Sequence, residues 1–481
     1  MEALSPEKGT EQEILEPAVV FGNSSVYAIA QVGKSRNTFH QVFWIIFLFM
    51  ALFVCIHQLY PFIVVYSQYD VIVDFQVEHK WSLKFPAVTV CNLNRMKKRY
   101  ILCMNRNSPL DVCKNSAQGG KTTFTLSERN TIISCKALLY GNSSISHHSA
   151  LPFMTRYSLL DKEKRNSIGE QASSFIRSCS INGAICSIEE FSFVQSFRHG
   201  NCYTFNKRKK TDFNPLVASM NKPNLGLELV LDLHLKQYMT ETQAIGAKIL
   251  IHHPKDEPNI EEEGITISPG FETSIGLSKM QIVRLPYPFR DQCIHYELDD
   301  KYPFSNQQDC VRSCIQNFNK LACGCTDPTI PKADETKLCN ISNATDVCCL
   351  DKVLEDLTAD KFTCDCPFPC HSVGYDIQLS YAKWPSNALG YFQKYDMIHA
   401  NKSEIARNQA AIKIYFSDFR LTSYFQKPKF EKSEIFSHLG SELGLWLGFS
   451  LFATLEICEI LWLIVNYFLK KSLAFLRIRT Q

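Results

Sequence analysis

Net charge is almost missing from this chain. Its 481 residues hold 51 Lys and Arg against 48 Asp and Glu, a formal +3, which removes the electrostatic reach that a nucleic-acid coat needs. Long low-complexity blocks are absent too, and 45% hydrophobic residues exclude a disordered polymer in favour of a large folded core. Catalytic signatures are lacking: no GxSxG, HExxH or P-loop string occurs, and His147-His148 and His252-His253 have no carboxylate partner in a recognisable spacing. The chain therefore does not read as an enzyme, and no cofactor is implied. Cysteine is plentiful, at 20, yet unevenly spread. Only Cys55 and Cys458 lie in the two longest apolar runs, and all the others fall between Cys91 and Cys370.

The first apolar run, Val42 to Tyr66, is long enough to cross about 30 Å of hydrocarbon, which takes about 20 helical residues. A polar leader precedes it and no small-residue cleavage site follows, so it reads as a span and not as a signal peptide. The second, Leu443 to Leu469, carries Glu456 and Glu459 and is followed by Lys470, Lys471, Arg477 and Arg479, a cytosolic flank by the positive-inside rule. Lys34 and Arg36 before the first run carry the same sign. The expected division is a cytosolic 1–41, a transmembrane helix over 42–66, an extracellular domain over 67–442, a second transmembrane helix over 443–469 and a cytosolic 470–481, with the chain in the plasma membrane.

The outer block then lies in oxidising surroundings, where cysteines pair. Close pairs such as Cys323-Gly-Cys325 and Cys364-Asp-Cys366 lack the C-x2-C turn of a zinc site, so no metal is expected. Sequons at Asn142, Asn340, Asn343 and Asn401 are candidate glycosylation sites. Period-two runs over 85–91, 226–233, 246–252, 280–285 and 411–416 predict strands, and helical patterns fall over 306–318 and 388–408. This gives an α+β membrane protein with a β-rich outer body.

Carboxylates within a span cost several kcal/mol unless they face water. Glu456 and Glu459 share one helical face. Ahead of them Gly440, Gly444 and Gly448 recur at every fourth residue, then Ser450. Small residues at this spacing serve close helix packing; set above carboxylates they also fit a narrow, carbonyl-lined constriction. Two spans cannot enclose such a route, so several subunits around an axis are required.

From Phe85 onward the sequence resembles the degenerin, epithelial sodium channel and acid-sensing ion channel family. The strings are FPAVTVCNLN (85–94), HGNCYTFN (199–206), PGFETSI (269–275), LPYPFRDQC (285–293), CDCPFPC (364–370), WPS (384–386) and GLWLGFS (444–450). The resemblance implies a trimer of self or related subunits, each with palm, knuckle, β-ball, finger and thumb, around a sodium-selective pore blocked by amiloride-like compounds. It puts the selectivity filter on Gly448, Phe449 and Ser450, inner pore charge on Glu456 and Glu459, and the gate region on Ser437, His438, Gly440 and Gly444. Histidine is the side-chain type whose charge changes around neutral pH, so protonation of His438 is expected to modulate current. A wrist contact falls on Tyr69 and Phe289.

The same resemblance implies disulfides Cys91–Cys202, Cys179–Cys186, Cys293–Cys370, Cys310–Cys366, Cys314–Cys364, Cys325–Cys339, and Cys323 with either Cys348 or Cys349. Of the rest, Cys103–Cys113 is the simplest further bridge, leaving Cys135 a long-range partner. Departures bear on the stimulus. Tyr27-Ala28 replaces a His-Gly motif, Asp70-Val71 stands where proton-gated members have paired histidines, and Met220, with Lys222 nearby, takes the place of a lysine. With extra finger-region cysteines these favour an extracellular peptide ligand, as in invertebrate peptide-gated members, over protons or constitutive opening. A non-conducting receptor or adhesion protein is the alternative of another class; its discriminator is the Gly-x-Ser string with inner glutamates, which an anchor has no reason to carry.

Overall fold

The computed structural model describes residues 27–35, 37–100, 157, 160–208, 215–219, 226–238, 242, 244–260, 263–296, 298, 301–330, 337–340, 343–386, 407–456, 458–459, 462 and 465. The chain forms two compact units, one of Met1–Val73, Pro288–Arg290 and Gln426–Gln481, the other of Asp74–Tyr287 and Asp291–Phe425.

Helix α1 (Tyr27–Lys34) precedes α2 (Thr38–Ser67), and Tyr27 packs edge-on to Trp44 with centroids 5.5 Å apart. The position of the His-Gly motif is thus helical. Asn37 caps α2, its side chain accepting from the Phe39 N–H, which is how an N-cap satisfies an orphan donor. With 30 residues and a mean hydropathy of 2.4 over its best window, α2 can cross a membrane. It starts before the expected Val42 and contains no Asp, Glu, Lys or Arg.

The second unit follows through β1 (Val71–His79), β2 (Ser82–Lys84) and β3 (Ala87–Asn92). After α3 (Lys162–Ile168) and α4 (Ala172–Phe175) come β4 (Ile176–Ile181), β5 (Ala184–Ile185), β6 (Phe191–Ser196), β7 (Gly200–Phe205), β8 (Val217–Ser219) and β9 (Gly226–Asp232). Strands β10 (Ala247–His252), β11 (Ile265–Ile267) and β12 (Phe271–Val283) lead to α5 (Gln307–Cys323) and α6 (Ala344–Thr358). Finally β13 (His371–Lys383) and β14 (Gln409–Pro428) end at α7 (Lys432–Leu447), back in the first unit.

One sheet is ordered β13-β12-β14-β9-β4-β5 with β1 against β14; a second runs β11-β10-β3-β7-β6, and β2 pairs β8. Strand β3 is buried at every residue, so the polar phase of its alternation does not face solvent: Thr89 is buried against Thr204 and His252, 2.8 and 2.9 Å away. Along β9, Leu227, Leu229 and Leu231 point into the core with the period of two that a half-covered strand requires. Strand β12 is longer than the alternation over 280–285 predicts: it starts at Phe271 and stops at Val283, before Pro286 and Pro288, which have no N–H for a ladder.

Seven disulfides join described residues. Cys91–Cys202 links directly paired positions of β3 and β7, and Cys179–Cys186 closes the β4–β5 hairpin. Cys310–Cys366, Cys314–Cys364 and Cys323–Cys349 fasten α5, while Cys293–Cys370 and Cys325–Cys339 tie its flanks. Cys348 is disulfide-bonded as well. Helix α5 buries the polar side chains of Gln316 and Asn319, so cross-links do here what a larger apolar face does elsewhere, each contributing about 2–4 kcal/mol. Asn142, Asn401, Cys103, Cys113, Cys135, Met220, Lys222 and most of the helical pattern over 388–408 lie outside the described residues.

Candidate functional site: the interrupted helix

The second apolar run does not form one helix over 443–469. Helix α7 begins earlier, at Lys432, ends at Leu447, and residues 451–456 are helical again. Gly448 terminates it in the left-handed region, with φ 64°; only glycine adopts that conformation without a Cβ penalty. The Gly448 and Phe449 N–H groups donate to the Gly444 and Leu443 carbonyls. Ser450 then starts the next segment, its hydroxyl accepting from the Ala453 N–H at 3.3 Å. The Gly-Phe-Ser string is therefore a C-cap followed by an N-cap. A helix C-terminus ends in carbonyls without intrahelical partners and carries the negative end of the dipole, so the break offers oxygen to a cation within the apolar run.

Helix α7 has distinct faces. Glu434, Ser437, His438, Ser441 and Glu442 line one recess of about 320 Å³. The His438 ring stacks on Phe62 of α2, with centroids 4.2 Å apart. Trp446 donates its indole N–H to Gln58 of α2 at 3.0 Å and to Glu442 at 3.2 Å. A Cβ built on Gly440 meets nothing within 4 Å, and one on Gly444 meets only the Phe449 carbonyl at 3.7 Å. The glycine face is thus open among the described residues, whereas the histidine and tryptophan hold α7 to α2. Glu456 and Glu459 follow on the 451–459 stretch, Glu459 exposed.

Tyr69 and Phe289 are in edge contact, with centroids 5.9 Å apart. Tyr69 has φ 51°, an outlier for an aromatic residue, and hydrophobic spacing gave no sign of it. Asn340 and Asn343 are exposed, but the Asn343 amide already caps α6, accepting from the Thr345 N–H and donating to Asp346. A further concavity of about 550 Å³ opens on the β4–β9–β14 face, where Arg177, Lys413, Glu228 and Glu272 balance in charge beside Trp384. Such a volume suits a small organic ligand.

Taken together, a long apolar helix and a disulfide-rich α+β body define a membrane protein with a large extracellular domain. Residues 20–460 match the family model described as "Amiloride-sensitive sodium channel", and the chain belongs to that family, one of ion channels and not of enzymes. It is 28% identical to degenerin deg-1 of Caenorhabditis elegans over 66% of this chain and 42% of that protein. Likeness to the epithelial sodium channel subunit alpha of Neoceratodus forsteri is 24% over 91% of this chain and 78% of that one. Degenerin-like protein asic-1 of Caenorhabditis elegans is 28% identical over 62% and 37%. The chain thus spans less than half the length of the nematode relatives it matches.

Proposed function

We propose that the chain is a subunit of a sodium-selective cation channel of the plasma membrane, crossing it twice with both termini cytosolic, over the spans expected from sequence. The observation that carries this reading is the helix break at Gly448–Ser450, which offers backbone oxygen within an otherwise apolar run, ahead of Glu456 and Glu459. Non-helical backbone at that depth is tolerated only where it lines water or other protein. Three copies around an axis supply both, with the open Gly440 and Gly444 face turned to neighbours and with Ser437 and His438 in the gate region. Amiloride-like compounds block this pore, and glycans attach in the outer domain.

An extracellular peptide opens the channel, and the zwitterionic cavity beside Trp384 supports that ligand class. The Tyr69–Phe289 contact couples the outer domain to the spans, and the alternatives are protons or constitutive opening. Expression in oocytes with voltage clamp, sodium replacement and a panel of acid and amidated short peptides tests the proposal. An inward sodium current is expected. Surface protein without cation current under every stimulus favours an obligate partner subunit or the receptor, and absence of current with related subunits co-expressed as well overturns the proposal.

A further inference from the structure

A charge cluster around a buried carboxylate sits within the second unit, at the end of β9. Glu170, between α3 and α4, has a side chain only 3% exposed. Its main-chain carbonyl accepts from Asn201 and Tyr203, which fixes it in place, and its carboxylate accepts from the Ser174 hydroxyl at 2.8 Å. The Lys97 ammonium lies 3.3 Å away and His234 Nδ1 3.0 Å away. That histidine contact is close but poorly angled for N–H donation, so it is Coulombic in character. On the other side, His234 Nε2 is 3.9 Å from Asp232.

The cluster holds two carboxylates and one lysine, and balances only when His234 is protonated. No sequence motif joins these residues, and no part of the channel reading uses them. We propose that His234, set between Glu170, Asp232 and Lys97, is a proton-binding regulatory site of the extracellular domain, which when occupied clamps the end of β9 to the Glu170 turn.

The remaining chemistry agrees. Burial alone would raise the Glu170 pKa, but His234, Lys97 and Ser174 outweigh it and hold the carboxyl below its usual range, so the proton goes to the imidazole. Glu170 foremost, against the opposing effect of burial, then Asp232 raise His234 above its ordinary 6.5, and Lys97 opposes them. By contrast, burial pushes His199 and His252 down to about 4, which leaves both neutral at physiological pH. A raised folded-state pKa stabilises the docked arrangement fully below pH 6.5, and this contribution is lost as pH rises through the raised value. Asp232 pairs with Gln409 at the start of β14, and Leu233 and Leu235 donate to Asn408; β14 runs by chain connection into α7.

The effect on current rests on the channel reading, whereas the effect on stability does not. His234 has φ 50°, a left-handed conformation that asparagine tolerates, so His234→Asn removes the titrating ring with little backbone cost. Thermal melting of the purified full-length protein in detergent, from about pH 6 to pH 8.5, should show the wild type losing stability above pH 6.5 and His234→Asn losing that slope. Asp232→Asn should keep the transition but move its midpoint to lower pH. In oocytes at fixed stimulus, wild-type current should change about twofold or more across the same range, and the His234→Asn current should not. An unchanged melting slope in His234→Asn overturns the proton site, and an unchanged current response overturns its regulatory role. Absence of current from every form, alone and with related subunits co-expressed, refutes the channel reading instead, while the melting series still decides the site.

Discussion

Helices α2 and α7 are both apolar segments of one unit, yet they are built for different work. In α2 the helix continues for 30 residues without a formal charge, past Pro61, which lacks an N–H to donate, and large side chains such as Phe39, Phe49 and Phe53 are exposed. Helix α7 carries a polar face of Glu434, His438 and Glu442, then stops at Gly448. Hydropathy registers that difference without explaining it. What separates the two is whether the helix runs on or stops within the apolar run, leaving the carbonyls of a last turn for something else to occupy.

The largest expected effect tests that contrast at the break. Converting Gly448 and Ser450 together to alanine adds a left-handed penalty of about 1 kcal/mol and removes a cap of about 1 kcal/mol. Both changes loosen the backbone that presents the carbonyls, so the sodium-over-potassium preference should fall, read from reversal potentials. Retained selectivity would mean that the break is structural punctuation only. A smaller effect is expected where the helices meet. Trp446→Phe and Gln58→Leu should each cost about 1 kcal/mol, measured as a shift in thermal stability or half-activation, and the double variant should cost little more than either. Full additivity would deny the shared hydrogen bond. Phe53→Leu, 70% exposed, should stay within about 0.5 kcal/mol and leave selectivity unchanged; a large loss there would assign α2 more than a spanning role.

Much of this was legible in the sequence, for stated physical reasons. The first span announces itself through an uncharged apolar run, and β9 through alternation over one covered face. The interruption of α7 was not, because a hydropathy window averages over Gly448 and Ser450, and glycine at every fourth residue reads equally well as a packing stripe. Only the conformation of Gly448 distinguishes a stripe from a stop. Helix α6 escaped notice because its apolar positions, Val347, Leu350 and Val353, are diluted by the adjacent cysteines and acidic residues. The early half of β12, Phe271 to Lys279, mixes small and polar residues, and its pairing to β13 and β14 on both sides comes from tertiary context. Glu170 and His234 are joined by the meeting of separate elements, and one-dimensional spacing carries no trace of that.

The cap at Gly448 also bears on biogenesis. A lone copy of α7 in a bilayer would hold the free carbonyls of its last turn against hydrocarbon, with no water to solvate them. On the proposed channel reading each newly made chain is then an incomplete solute of the membrane, and neighbours act on it as ligands act on a folding equilibrium, raising the folded fraction by mass action. Abundance of the inserted form should rise more steeply than expression level, because quality control removes whichever copies have not yet met their neighbours.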